Sequence, residues 1–272
     1  MRLRAEDARI KQRPEPAAER YGTEMEDYEW MKQKVMRASF RAVLRKDSGE
    51  EQAGAAFCLC RKAFVQAKEE HRLLTASLYR YGRFLFLYTE GVGEEVVPDK
   101  LCTFLEPFLQ SHAETVEAPD RDRRWIRMQP YYYHAVPESA EIWMQGRKPT
   151  LRRGRIALLA PEKWESYMGH HLALMREGLI EGDRYHFICL HENILFSYFE
   201  EPKTLTNLQK AEAADSAALK AWLLTDPESH FMRFAPGQGP GPDENFVFLP
   251  CVADSQFVKD ESVDEKAADA AE

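Results

Sequence analysis

The chain has 272 residues, 44% apolar and 30% charged, with a formal net charge of −8. That length accommodates one large domain or two units of about 100 residues, each able to bury a core. The composition excludes a fibrous or wholly disordered chain, and an acidic balance without a dominant basic stripe argues against nucleic acid or an anionic membrane as partner.

Residues 1–30 are polar and carry Pro14 and Pro16, which reads as a loosely ordered tail. Met1-Arg-Leu-Arg4 opens no apolar signal region, and no apolar run reaches the roughly 18 residues a membrane span needs. Cys58, Cys60, Cys102, Cys189 and Cys251 are scattered, odd in number and without a C-x-x-C pair. Neither a disulfide framework nor a metal site is expected, and a reducing cytoplasm fits best.

From residue 33 to 136 the pattern is strand, helix, hairpin, helix, strand. Met36 to Leu44 is a strand, and Ser48 with Glu51 forms a capping-box signature for a helix burying Phe57, Cys60 and Phe64. A hairpin follows at Ala76–Tyr79 and Phe84–Tyr88. Pro98 to Ala113 suggests a helix that Pro107 breaks or kinks, and Trp125 to His134 is the last strand. Residues 137–152 are a connector with a short helix near Glu138–Gln145.

Residues 153–252 repeat the order. Arg155–Leu159 is a strand, Pro161 opens a helix, and Trp164, Met168, His171, Leu172, Met175 and Leu179 form its apolar face. His186–Leu190 and Ile194–Phe199 make a hairpin, Asn207–Leu224 a helix, and Asn245–Leu249 a closing strand. An acidic tail is expected over 253–272. The two hairpins align without a gap at an offset of 111, which sets Tyr79 on Leu190 and Tyr88 on Phe199. The expected fold is therefore α+β: two tandem ferredoxin-like βαββαβ units, packed sheet to sheet as a barrel within one chain. Apolar residues on both faces of the hairpins support burial of both sides.

Four places in the second unit carry a family resemblance: Tyr167-Met-Gly-His-His171, the hairpin Tyr185–Leu190 to Asn193–Phe196, Trp222, and Phe246-Val-Phe-Leu-Pro250. Together they resemble the L-rhamnose mutarotase family within the dimeric α+β barrel fold. The sequence departs from the family pattern at Leu172, Met175 and Arg176, and beside Trp222. The resemblance implies a cofactor-free isomerase that interconverts sugar anomers, with His171 as general acid/base, Tyr167 orienting the sugar, and Tyr185 or His186 with Trp222 lining the pocket.

On the residues alone, Tyr167 and His171 share one helix face at i, i+4, and a group titrating near neutrality suits proton transfer in both directions. The plainer account makes His171 a hydrogen-bonded core histidine and Tyr167 and Trp222 packing residues. Ala56 and Cys60 stand at the equivalent positions of the first unit, so any such site occurs once per chain. Arg121, Arg123, Arg124 and Arg127, and the set Arg147, Lys148, Arg152, Arg153 and Arg155, read as solvated loop charge. No nucleotide, metalloprotease or serine-hydrolase motif occurs.

Two readings follow. A mutarotase-like isomerase predicts a polar cavity in the second unit; a non-catalytic barrel for small-molecule binding or regulation predicts a filled, apolar interior. A monooxygenase of the same broad fold is a third, for which no residue pattern calls.

Overall fold

A computed structural model of the protein describes residues 28–113, 122–180, 182–203, 215–234 and 245–256. Most of the two expected tails and the first part of the helix expected from Asn207 lie outside these residues.

The first unit runs β1 (Val35–Val43), α1 (Glu50–Glu69), β2 (Leu73–Tyr81), β3 (Phe84–Val92), one turn of helix α2 (Pro98–Leu101) and a 3-10 segment (Thr103–Phe108) that contains Pro107. Two short strands, β4 (His112–Ala113) and β5 (Asp122–Arg123), pair with each other, and β6 (Ile126–Arg127) and β7 (Gln129–Tyr133) end the unit. After α3 (Ala140–Met144), the second unit runs β8 (Leu151–Leu159), α4 (Trp164–Arg176), β9 (Phe187–His191), β10 (Ile194–Glu201), α5 (Ala217–Leu224), β11 (Phe231–Met232), β12 (Val247–Leu249) and β13 (Cys251–Asp254).

The strands form two antiparallel sheets, ordered β13-β2-β3-β1-β6 and β11-β8-β10-β9-β7, with β12 also on β8. Each unit lends its last strand to the other. The chain pairs β6 with β1, crosses at Met128, and adds β7 to β9 of the second sheet. It likewise pairs β12 with β8, crosses at Pro250, and adds β13 to β2 of the first sheet. The molecule is thus two ferredoxin-like βαββαβ units closed as an α+β barrel within one chain. The expected tail does not begin at Ala253: that residue is a buried member of β13, and Ser255 binds back to Ala76. Among the described residues no helix is long and apolar enough to cross a membrane.

Across the first helix and the hairpin the repeat is offset by 110 residues, not 111, and across the first strand, β1 to β8, by 115. Both hairpins turn through two residues, Gly82-Arg83 and Glu192-Asn193, each with positive φ at its first position. Tyr81 therefore corresponds to His191 and Phe84 to Ile194. Under this register the inward faces of β3 and β10 carry one motif, Phe86-Leu-Tyr88-Thr-Glu90 and Phe196-Ser-Tyr198-Phe-Glu200. The rings meet their counterparts across the barrel: Phe86 stacks on Phe196 at 5.2 Å, and Tyr88 on Tyr198 at 3.7 Å between centroids. A slip of one residue turns every strand side chain to the opposite face, which is why the 111 alignment pairs Tyr88 with the outward Phe199.

The same slip rotates α4. Tyr167 and Leu174 are its buried residues, equivalent to Phe57 and Phe64 of α1, whereas Trp164, Leu172 and Met175 of the expected apolar face are exposed. The expected capping box is not formed either. Helix α1 begins after Gly49 without a side-chain cap, and the Ser48 hydroxyl donates instead to the Phe108 carbonyl.

Candidate functional site on the helix face of the second sheet

The space between the sheets is filled. Tyr79, Phe86, Tyr88, Phe187, Phe196 and Tyr198 occupy its centre, and one end is closed by a network of buried charge. Arg147, from the connector, donates to both Glu90 (2.7 Å) and Glu200 (2.6 and 3.0 Å). Arg37 donates to the Tyr88 hydroxyl, which donates to Glu90; the Trp143 indole N–H also reaches Glu90. Arg152 pairs with Asp254 at 2.6 Å and lies 3.5 Å from Glu200. Burial favours the neutral form of Glu90, but Arg147 and Arg37 outweigh it and hold the carboxyl down to about 2. Arg147 and Arg152, expected as solvated loop charge, are instead the buried cations that tie the units together.

Tyr185 belongs to this network. Its hydroxyl donates to the Trp143 carbonyl, its own carbonyl accepts from Arg37, and Arg147 lies 4.3 Å over its ring. It does not join His171, because its neighbour His186 faces the helix side of the sheet and Tyr185 the opposite side.

Tyr167, His171 and Trp222 do come together, beneath α4 and α5. The His171 ring lies 4.1 Å from Tyr167 and 5.1 Å from Trp222, and Trp222 is also flanked by His170 and His230. The His171 Nδ1–H donates to the Tyr167 carbonyl at 3.0 Å, which commits one ring nitrogen to the helix backbone. Burial, reinforced by His230 and His170 and opposed by that hydrogen bond, lowers its pKa to about 4. His171 is therefore neutral at pH 7 and poorly matched to acid/base exchange there. His230 is held between the Ser166 hydroxyl and the Pro227 carbonyl.

Deeper on the same face lies a set that the sequence reading did not assemble. His186 is fully buried, with Nε2 2.9 Å from the Ser197 hydroxyl and with no partner for Nδ1 among the described residues. Arg155 extends from β8 with its guanidinium 4.2 Å from the Phe246 ring and 5.3 Å from Phe199; Lys203 approaches Phe199 at 5.4 Å. The Arg155 Nε is closed off from solvent and unpartnered among the described residues. Burial lowers the pKa of Arg155, of Lys203 and, well below the ordinary range, of His186. A β-bulge in β7 next to β9 directs Tyr131 and Tyr132 toward this face: Tyr131 lies 5.8 Å from His171 and Tyr132 6.1 Å from His186.

The pseudo-symmetry supplies the signal that could have found this set. In the strand registers Arg155, His186 and Ser197 occupy the places of Phe40, Ala76 and Leu87. Those three are core residues beneath α1. The first unit seals its helix–sheet interface with apolar side chains throughout; the second keeps an apolar cluster around Leu159, Leu174 and Leu195 but places polar groups at these three positions.

Clefts lie elsewhere as well, among them one of about 370 Å³ beside Arg61, Leu151 and Cys251. One of about 640 Å³ opens on the first unit around Trp125 and Arg127, where Arg127 is held by Glu95 and Arg124 by Glu106. One of about 350 Å³ lies beside Arg37, Tyr133 and Phe187. Among the described residues no three His, Cys, Asp or Glu side chains converge to hold a metal ion.

Fold and site together define a duplicated α+β barrel in which one unit has a wholly apolar helix–sheet seam and the other carries Arg155, His186 and Ser197 within it. Solved structures that the chain resembles include a provisionally assigned monooxygenase from Lactobacillus acidophilus NCFM, at 7% identity over 82% of this chain and 97% of that one, with a TM-score of 0.38. An anthrone oxidase-like protein matches at 10% identity over 84% and 97%, TM-score 0.33. A chlorite dismutase variant from Candidatus Nitrospira defluvii matches at 12% over 83% and 95%, TM-score 0.28. No family model matches the chain, and no curated protein does. None of these neighbours is a mutarotase. The filled inter-sheet space and the buried His171, tethered to the helix backbone and held neutral, overturn the sugar-isomerase expectation. Scores this low assign none of the neighbours' activities to this chain.

Proposed function

We propose that the protein is a non-catalytic, small-molecule-binding or regulatory α+β barrel whose ligand lodges on the helix face of the second sheet. The observation that supports this most directly is the exchange of Phe40, Ala76 and Leu87 for Arg155, His186 and Ser197 at symmetry-equivalent positions. Buried polar groups without partners cost stability, and the first unit shows that this fold closes well without them. The aromatic wall of Tyr131, Tyr167 and Trp222 continues the same face and would pack against the ligand body. In this reading His171 and Trp222 are lining residues, and the first unit is the scaffold that completes the barrel. All five cysteines are free thiols, which fits residence in the reducing cytoplasm.

The test is ligand-observed saturation-transfer NMR with a small-molecule panel. The wild type is compared with an Arg155→Phe/His186→Ala/Ser197→Leu chain that gives the second sheet the apolar character of the first. Binders lost in the triple variant support the proposal. A panel that binds both proteins equally, or neither, refutes it.

A further inference from the structure

We infer that the second-sheet site takes an oxyanion, a carboxylate or phosphate attached to a flat apolar body, with Arg155 as the principal recognition group. The inference rests on the binding proposal above and specifies its chemistry.

Among the described residues the other buried arginines each have a polar partner. Arg147 meets Glu90 and Glu200, Arg152 meets Asp254 and Glu200, and Arg41 meets Glu192 through one Nη, its other two nitrogens being unpartnered among the described residues. Arg37, without a carboxylate of its own, spends its guanidinium on the Tyr88 hydroxyl and two backbone carbonyls. Arg155 differs: among the described residues it has neither an ion pair nor a hydrogen bond, and its guanidinium rests on aromatic rings alone. Such rings partly compensate a cation but leave its N–H donors unmet.

Lys203 approaches the same Phe199 ring that Arg155 approaches, and the His186 ring meets Phe199 edge-on at 5.9 Å. Asp183 is the acid that acts on Lys203 through space. The electrostatics of these groups are mutually unfavourable, since Lys203 and Arg155 each disfavour protonation of His186. Two cations and a histidine whose Nδ1 has no partner among the described residues, all around one ring, are what a bound anion would satisfy. An arginine fork matches a planar carboxylate or a phosphate in two parallel hydrogen bonds. Phe199 and Phe246 supply the walls for the apolar part.

Isotope-labelled full-length protein is titrated with sodium benzoate, with phenyl phosphate and with neutral benzamide, following the Arg155 Nε–Hε and His186 ring resonances. Benzoate or phenyl phosphate should shift both saturably and bind at least tenfold tighter than benzamide. Arg155→Met should abolish the effect, and Arg155→Lys should keep the anion preference at lower affinity. Because Arg155→Met removes an uncompensated charge, it should also raise the Tm of the ligand-free protein by roughly 2–4 °C. Equal response to benzamide overturns the oxyanion assignment while leaving the binding proposal intact. A lower Tm for Arg155→Met overturns it too, because the guanidinium would then be structural. Silence from all three probes overturns it as well, and the binding proposal then stands or falls on the panel and the triple variant.

Discussion

Tyr88 and Tyr198 stack face to face across the barrel with ring centroids 3.7 Å apart, and each donates its hydroxyl to a glutamate two residues along its own strand. The pair marks the pseudo-twofold axis, and Arg147 from the connector closes it by holding both glutamates.

Stability should depend on this network and on pH in a defined direction. Glu90 is held to about 2 in the fold and titrates at about 4.3 in an unfolded chain. Its contribution is present above the unfolded value and is lost as pH falls from there through about 2. Urea denaturation between pH 5 and pH 2.5 should show this loss, with a shallower slope in Glu90→Gln. Arg147→Ala, which strands two buried carboxylates, should cost about 3–5 kcal/mol at pH 7. A cost below about 1 kcal/mol would show that the units hold together without it.

His171 should titrate with a midpoint near 4, followed through its ring carbon-bound proton by NMR. Unfolded, it takes a proton near 6.5. Between those values the unfolded chain binds a proton that the folded one does not, so stability falls as pH drops from 6.5 toward 4. His171→Phe, keeping a ring beside Tyr167 and Trp222, should flatten that part of the profile. A midpoint at or above 6 would contradict the buried, backbone-tethered geometry.

Gly154 is required by Tyr79. A Cβ at Gly154 would lie 2.6 Å from the Tyr79 ring, far inside contact distance. The symmetry-equivalent pair is Ser39 against Cys189, with the larger side chain on the other strand position made small. Gly154→Ala should therefore cost about 1–3 kcal/mol through overpacking. Adding Tyr79→Cys to it should cost less than the two single changes summed, a coupling that a double-mutant cycle in urea would read.

The element order was legible because amphipathic periodicity and turn residues act locally: α1 with Phe57, Cys60 and Phe64 buried, the two hairpins and the βαββαβ repeat all come from short-range pattern. Register was not. Both hairpins are apolar on both faces, so nothing in β9 or β10 alone distinguishes an offset of 110 from 111, and the error carried into the face of α4. The twin Phe-x-Tyr-x-Glu motif was the available signal, and it acquires meaning only when the rings are seen to meet.

Composition, spacing and duplication determined a chain of two α+β units that bury their sheets against each other. Tertiary structure alone decided that the units exchange their last strands, that Arg147 and Arg152 are buried rather than solvated, and that Arg155 and His186 share a face. The reason is physical: a strand's local sequence fixes which residues alternate, but which neighbour it pairs with, and which face meets a helix or a second sheet, depends on contacts between residues far apart in the chain.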